Sequence, residues 1–170
     1  MTGIYLASFR AYHPLHNIVY QDINGKRDIG GDMMDVDLSN YDYIIATPPC
    51  NYYSRANFRR NVSEYALKTR HLLPDILFKL SVLNKPFIVE NVRNITIMNQ
   101  QGIFDIVNKY GLFVYFIGRH TYFSNCMVNL QCKQYFDDIH HVYTANRQGG
   151  LNVHNVIEIF INYVEKEYIK

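Results

Sequence analysis

Two short apolar runs constrain this chain more than anything else in it. Tyr43-Ile44-Ile45-Ala46 and Phe87-Ile88-Val89 show no polar alternation, the pattern of strands buried on both faces of a parallel sheet. The first run leads into Thr47-Pro48-Pro49-Cys50 and the second into Glu90-Asn91-Val92. In an open α/β sheet, sites lie beyond the carboxyl ends of the strands, and a thiol and a carboxyl group stand there together. A thiolate is a strong nucleophile once a helix N-terminus or a nearby cation populates it. A carboxyl group beside it can protonate or hydrogen-bond a weak electrophile such as a pyrimidine ring, whose C6 becomes open to attack when N3 is so engaged.

The remaining periodicities agree with an α/β chain. Ile4 to Ala7 and Ile18 to Tyr20 read as strands, with Asp22 just past the second. Ser63-Glu64 reads as a helix start, an N-cap oxygen followed by an acid at the positive end of the dipole. Leu73, Ile76, Leu77 and Leu80 recur at helical spacing, and Pro74 among them predicts a kink or two abutting helices. Ile103, Ile106, Val107 and Tyr110 mark a helix closed by Gly111. Leu112 to Ile117 and Tyr122-Phe123 read as strands around Gly118-Arg119-His120, and Val153, Val156, Ile157, Phe160 and Val164 as the stripe of a last helix. The expected fold is a single α/β domain over 1–170, with a mainly parallel sheet and a late antiparallel element.

Length and charge narrow the function. The 170 residues suffice for one good core, and a net charge of +2 gives no excess that would by itself imply nucleic acid. Cys50, Cys126 and Cys132 form an odd set without CxxC spacing, which fits a reducing cytoplasm rather than a disulfide framework or a zinc site. No apolar run approaches spanning length, so no membrane partner is expected. Asp32, Asp35 and Asp37 lack the glycine and terminal glutamate of a calcium loop, and His140-His141 with Cys132 is a weak metal signal, so no metal is expected. Arg55, Arg59 and Arg60 alternate with Tyr52, Tyr53 and Phe58 just after Cys50. That pattern suits phosphate contacts with base stacking, or equally a solvated helix face.

Asp42 to Cys50, followed by Ser54-Arg55-Ala56, resembles the Pro-Cys motif of the DNA cytosine-5 methyltransferases, and within them the compact phage-type variants. Phe87 to Val92 is similar to that family's Glu-Asn-Val motif. Gly118-Arg119-His120-Thr121-Tyr122-Phe123 with Asn125 resembles its later arginine motif, and Gly31-Asp32 its Gly-Asp near the cofactor adenine. The resemblance spans roughly Gly31 to Asn125. It implies a Rossmann-like methyltransferase sheet in which Cys50 attacks C6 of a flipped cytosine, Glu90 binds N3 and Arg119 assists as a cation. Pro49, Ser54, Arg55 and Asn91 would shape or contact the substrate. S-adenosylmethionine would lie near Phe9, Asp22, Asp32 and Pro48. DNA is the implied partner and the cytoplasm of a bacterial host the implied location, if the chain is phage-encoded.

The chain also departs from that family. Ala7 to Pro14 stands where a Phe-x-Gly-x-Gly cofactor loop belongs, and only Phe9 matches it. Thr121 replaces the usual second arginine, and the target-recognition region is reduced to about 128–150. These departures leave an alternative open: a degenerate methyltransferase fold that binds DNA or a protein partner, or pairs with a second copy, without turnover. A phage counter-defence factor would be of this kind.

Overall fold

The computed structural model describes residues 19, 21–22, 28–130, 133–134, 142–145 and 153–169. The expected strand at 4–7 and the candidate Phe9 lie outside them, as does the expected strand at 18–20 apart from Val19. The chain separates into two compact units, Met1–Asn40 and Tyr41–Lys170, where the sequence shows no linker.

In the first unit, β1 (Gln21–Asp22) pairs in parallel with β2 (Ile29–Gly30), so Asp22 belongs to a strand instead of following one. The Gln21 side-chain amide donates to the Gly31 carbonyl. Gly31 then takes a φ of +106°, a conformation that favours glycine. The acids that follow cap turns. Asp32 Oδ1 accepts from the Met34 N–H at 2.9 Å, and Asp37 Oδ1 accepts from the Ser39 N–H at 2.9 Å.

The second unit is built on a six-stranded sheet in the order β3-β4-β6-β5-β8-β7. The strands are β3 (Ile44–Ala46), β4 (Phe87–Val92), β5 (Phe113–Ile117), β6 (His120–Ser124), β7 (Lys133–Gln134) and β8 (Val142–Ala145). Only β3–β4 and β5–β8 run parallel; β4–β6, β5–β6 and β7–β8 are antiparallel. The expected α/β class holds, but the mainly parallel sheet is corrected to a mixed one. The cause is the tight β5–β6 hairpin, whose turn is Gly118-Arg119 with Gly118 at φ +59°. Its second strand inserts between β4 and β5, so β4 meets an antiparallel neighbour. Two segments of the stretch expected to recognise a target, 133–134 and 142–145, join the sheet as its far strands.

Among the described residues, four helices connect or flank these strands in the order α1 (Glu64–Thr69), α2 (Leu72–Val82), α3 (Ile95–Gln100) and α4 (Ile103–Tyr110), and α5 (Val153–Tyr168) follows them. Ser63 Oγ accepts from the Ala66 N–H, capping α1. The chain breaks at Arg70-His71, so Pro74 falls in the first turn of α2. There its missing N–H breaks no helical bond and no kink is needed. Leu73, Ile76, Leu77 and Leu80 are the buried stripe of α2, and Gly111 ends α4 at φ +63°. Phe160 of α5 meets Tyr43 edge-on, ring centroids 6.2 Å apart, which seats the last helix at the start of β3. Among the described residues no helix is long and apolar enough to cross a membrane.

Burial, with the nearby charges of Glu165 and Asp42, pushes the Tyr43 phenol from an ordinary 10.0 to about 12, and burial drives Tyr53 higher still. An unfolded phenol ionises first. The stability these groups contribute is therefore fully present below pH 10 and is lost as pH rises through about 12. Denaturant midpoints measured across that window should fall steadily, and Tyr43→Phe should flatten the decline.

Candidate functional site

The parallel pairing of β3 with β4 puts their carboxyl ends on one edge, with Ala46 opposite Val89. Thr47-Pro48-Pro49-Cys50 leaves β3 over that edge, while Glu90, one residue beyond Val89, stands on β4 itself. Antiparallel β6 begins where β4 ends, so His120 sits opposite Val92 at the same edge. The register divides the side chains between two faces. Glu90, Tyr122, Val92 and His120 share one; Asn91, Thr121, Val89 and Phe123 share the other.

Buried amides tie the cysteine loop to the sheet. Asn91, almost wholly buried, donates from Nδ2 to the Pro48 carbonyl at 3.2 Å. Asn94 donates from Nδ2 to the Tyr53 carbonyl at 2.9 Å, and its Oδ1 caps α3 by accepting from the Ile97 N–H at 3.4 Å. The Cys50 carbonyl closes a turn by accepting from the N–H groups of Tyr53 and Ser54, at 3.0 and 2.8 Å. Beyond it, the Arg60 guanidinium donates to the Ser54 carbonyl at 2.8 Å. Tyr53 is fully enclosed, its hydroxyl donating to the Arg70 carbonyl at 2.8 Å, and Tyr52 packs edge-on against it. Neither tyrosine is therefore a stacking surface, as the basic, aromatic pattern had suggested. Phe58 is the ring that faces outward, 93% exposed, with Arg55 and Arg59 exposed on the same loop.

Cys50 itself is half-buried and carries a free thiol. Burial pushes that thiol above its ordinary 9.0, and the Glu90 charge pushes it further, which puts carboxylate and sulfur within electrostatic reach. The rate of Cys50 alkylation by iodoacetamide should accordingly rise with pH through an inflection above 9.0. Removing the carboxylate charge in Glu90→Gln should move that inflection down, and an inflection that stays in place would contradict the pairing.

Glu90 Oε1 lies 2.6 Å from His120 Nδ1, a partner the sequence quoted within a motif without giving it a role. Asn94 was missed as well, although an asparagine just before Ile95-Thr96-Ile97 is a legible N-cap signal. Arg119 occupies the hairpin turn with an exposed side chain, and its carbonyl accepts from the Arg93 N–H at 2.7 Å. Among the described residues its guanidinium forms no hydrogen bond or ion pair with Cys50 or Glu90. Arg93, which the sequence did not single out, lays its guanidinium over the Phe116 ring at 4.6 Å. Thr121 is buried in the sheet with no hydrogen-bond partner for Oγ1 among the described residues. Pro49 and Ser54 are half-buried on the cysteine loop.

Of the residues expected to hold S-adenosylmethionine, Pro48 is buried, with its carbonyl engaged by Asn91, so it shapes the loop. In the first unit, a Cβ at Gly31 would meet nothing within 4 Å among the described residues. Asp32 follows directly, one carboxylate oxygen held in its turn. Among the described residues, no cluster of histidine, cysteine, aspartate or glutamate could hold a metal ion. No family model matches this chain, and no curated protein or solved structure does.

Proposed function

We propose that this chain adds the Cys50 thiol to C6 of a cytosine displaced from duplex DNA, and that it acts as a compact cytosine-5 methyltransferase on a Rossmann-like sheet. The observation that carries the reading is the shared strand edge, where Cys50 lies within reach of the Glu90 charge and its loop is fastened by Asn91 and Asn94. The thiol gives up its proton to solvent, and the thiolate forms the Sγ–C6 bond. N3 takes a proton from the Glu90 carboxyl group, and an electron pair becomes available at C5. S-adenosylmethionine would supply the electrophilic methyl group and leave as S-adenosylhomocysteine. The C5 hydrogen then leaves as a proton to solvent, N3 returns its proton to the Glu90 carboxylate, and the Sγ–C6 bond breaks with its electron pair on sulfur, which regenerates the thiolate and the aromatic ring.

Flipping the base costs a few kcal/mol. The exposed Arg55, Arg59 and Phe58 support the contacts that would offset it, phosphate neutralisation and stacking, and so support DNA as the partner.

Thiol addition activates C5 even without a methyl donor. The test is therefore exchange of the cytosine C5 hydrogen for deuterium in heavy water, in duplex DNA with no donor present. Exchange that disappears in Cys50→Ala supports the reading. The raised thiol also favours a second reading, a DNA- or partner-binding protein without turnover. That reading expects DNA or partner binding with no C5 exchange and no affinity for S-adenosylmethionine.

A further inference from the structure

The Glu90 carboxyl group has two tasks in the proposed reaction, and the sheet provides for one of them. It must aim one oxygen at the base, and it must accept negative charge when its proton leaves. We infer that His120 is the positioning residue for Glu90: its Nδ1–H donates to Oε1, which turns Oε2 toward N3 and meets the charge left on the carboxylate. The inference rests on the cytosine reading for its chemistry and on geometry alone for the pairing.

The geometry is specific to this hairpin. Nδ1 and Oε1 are 2.6 Å apart, at the short end for a charge-assisted hydrogen bond. The antiparallel register places Tyr122 directly opposite Glu90 and His120 opposite Val92, so the imidazole reaches Glu90 diagonally along one face. The Tyr122 ring lies beside the imidazole, centroids 6.3 Å apart, and limits its swing. The Glu90 side chain is 17% exposed and that of His120 38%, so the more sheltered carboxylate has one oxygen taken and the more accessible imidazole bears the hydrogen bond. No other described side chain bonds to the Glu90 carboxylate. Thr121, where the methyltransferase pattern has a second arginine, points to the opposite face with Asn91 and cannot serve Glu90.

Two arms test this. In the protein alone, nitrogen-15 shifts of His120 should report a proton on Nδ1, and Glu90→Leu should abolish that preference. A ring bare at Nδ1 and protonated only at Nε2 overturns the inference. In the second arm, formation of the covalent complex with DNA containing 5-fluorocytosine is timed at saturating DNA with S-adenosylmethionine. His120→Phe should slow it roughly 10- to 100-fold with DNA affinity unchanged, the scale of a lost hydrogen bond to a charged group. His120→Asn, whose side-chain amide can stand where Nδ1 stood, should restore part of the rate. A His120→Phe rate equal to wild type overturns the positioning role. A wild-type chain that forms no complex overturns the cytosine reading instead, and the nitrogen-15 arm then decides whether His120 holds Glu90.

Discussion

Cys50→Ala is expected to abolish both covalent capture of DNA and C5 hydrogen exchange, a loss of roughly four orders of magnitude or more. The expectation follows from chemistry: without the Cys50 sulfur there is no thiolate at this strand edge to bond to C6, and the other described cysteine, Cys126, lies past the far end of β6. The fold should survive, because Cys50 is half-buried and its turn is closed by its backbone carbonyl, which alanine retains. A change in stability within about 0.5 kcal/mol is the expected scale for such a position. Cys126 provides the control. It follows β6, whose far end lies at the opposite edge of the sheet, where Asn125 holds the start of β4 by accepting from the Phe87 N–H at 3.0 Å. Cys126→Ala should leave exchange and capture intact. Loss in both variants would mean that the thiol effect is structural.

Asn94→Ala should produce the largest loss of stability among the site's polar groups. Asn94 is buried and performs two tasks, donating to the Tyr53 carbonyl and capping α3. Removing the donor strands a buried carbonyl, at about 1–3 kcal/mol. Removing the cap costs roughly 0.5–2 kcal/mol more. The sum, about 1.5–5 kcal/mol, corresponds to a drop in melting temperature of roughly 3–20 °C for a chain of this size. Asn94→Asp separates the two roles: the carboxylate still caps α3, but it cannot donate to Tyr53 and turns a negative oxygen toward that carbonyl. Its loss should fall below that of alanine if the cap dominates and match or exceed it if the donor dominates. Calorimetry on both variants reads the difference. Because Tyr53 anchors the far side of the cysteine loop, both variants should also change how fast Cys50 is alkylated.

The strands that carry Cys50 and Glu90 were legible because their apolar runs and end residues are local signals. So were the Ser63 cap, the buried stripe of α2 and the glycine that closes α4. The mixed sheet was not. Strand order depends on which edge the β5–β6 hairpin takes, and no periodicity within Phe113–Ile117 or His120–Ser124 records that. The inward turn of Tyr52 and Tyr53 was equally hidden. A loop that alternates rings with arginines does not say which rings find a buried partner, and the partner of Tyr53 is a carbonyl at Arg70. The pairing of His120 with Glu90 is a product of register, joining residues thirty positions apart through an antiparallel contact. The candidate site was thus readable as a thiol and an acid, while what fastens and aims them became visible only in three dimensions.

The most direct test of the central claim is intact-protein and peptide mass analysis after incubation with duplex DNA containing 5-fluorocytosine and S-adenosylmethionine. Fluorine at C5 cannot leave as a proton does, so the complex cannot resolve by elimination. The expected result is a stable adduct, one nucleotide per chain after nuclease digestion, on the peptide that contains Cys50. Recovery of the unmodified chain from that mixture, or a label that maps to Cys126 or Cys132, would contradict it.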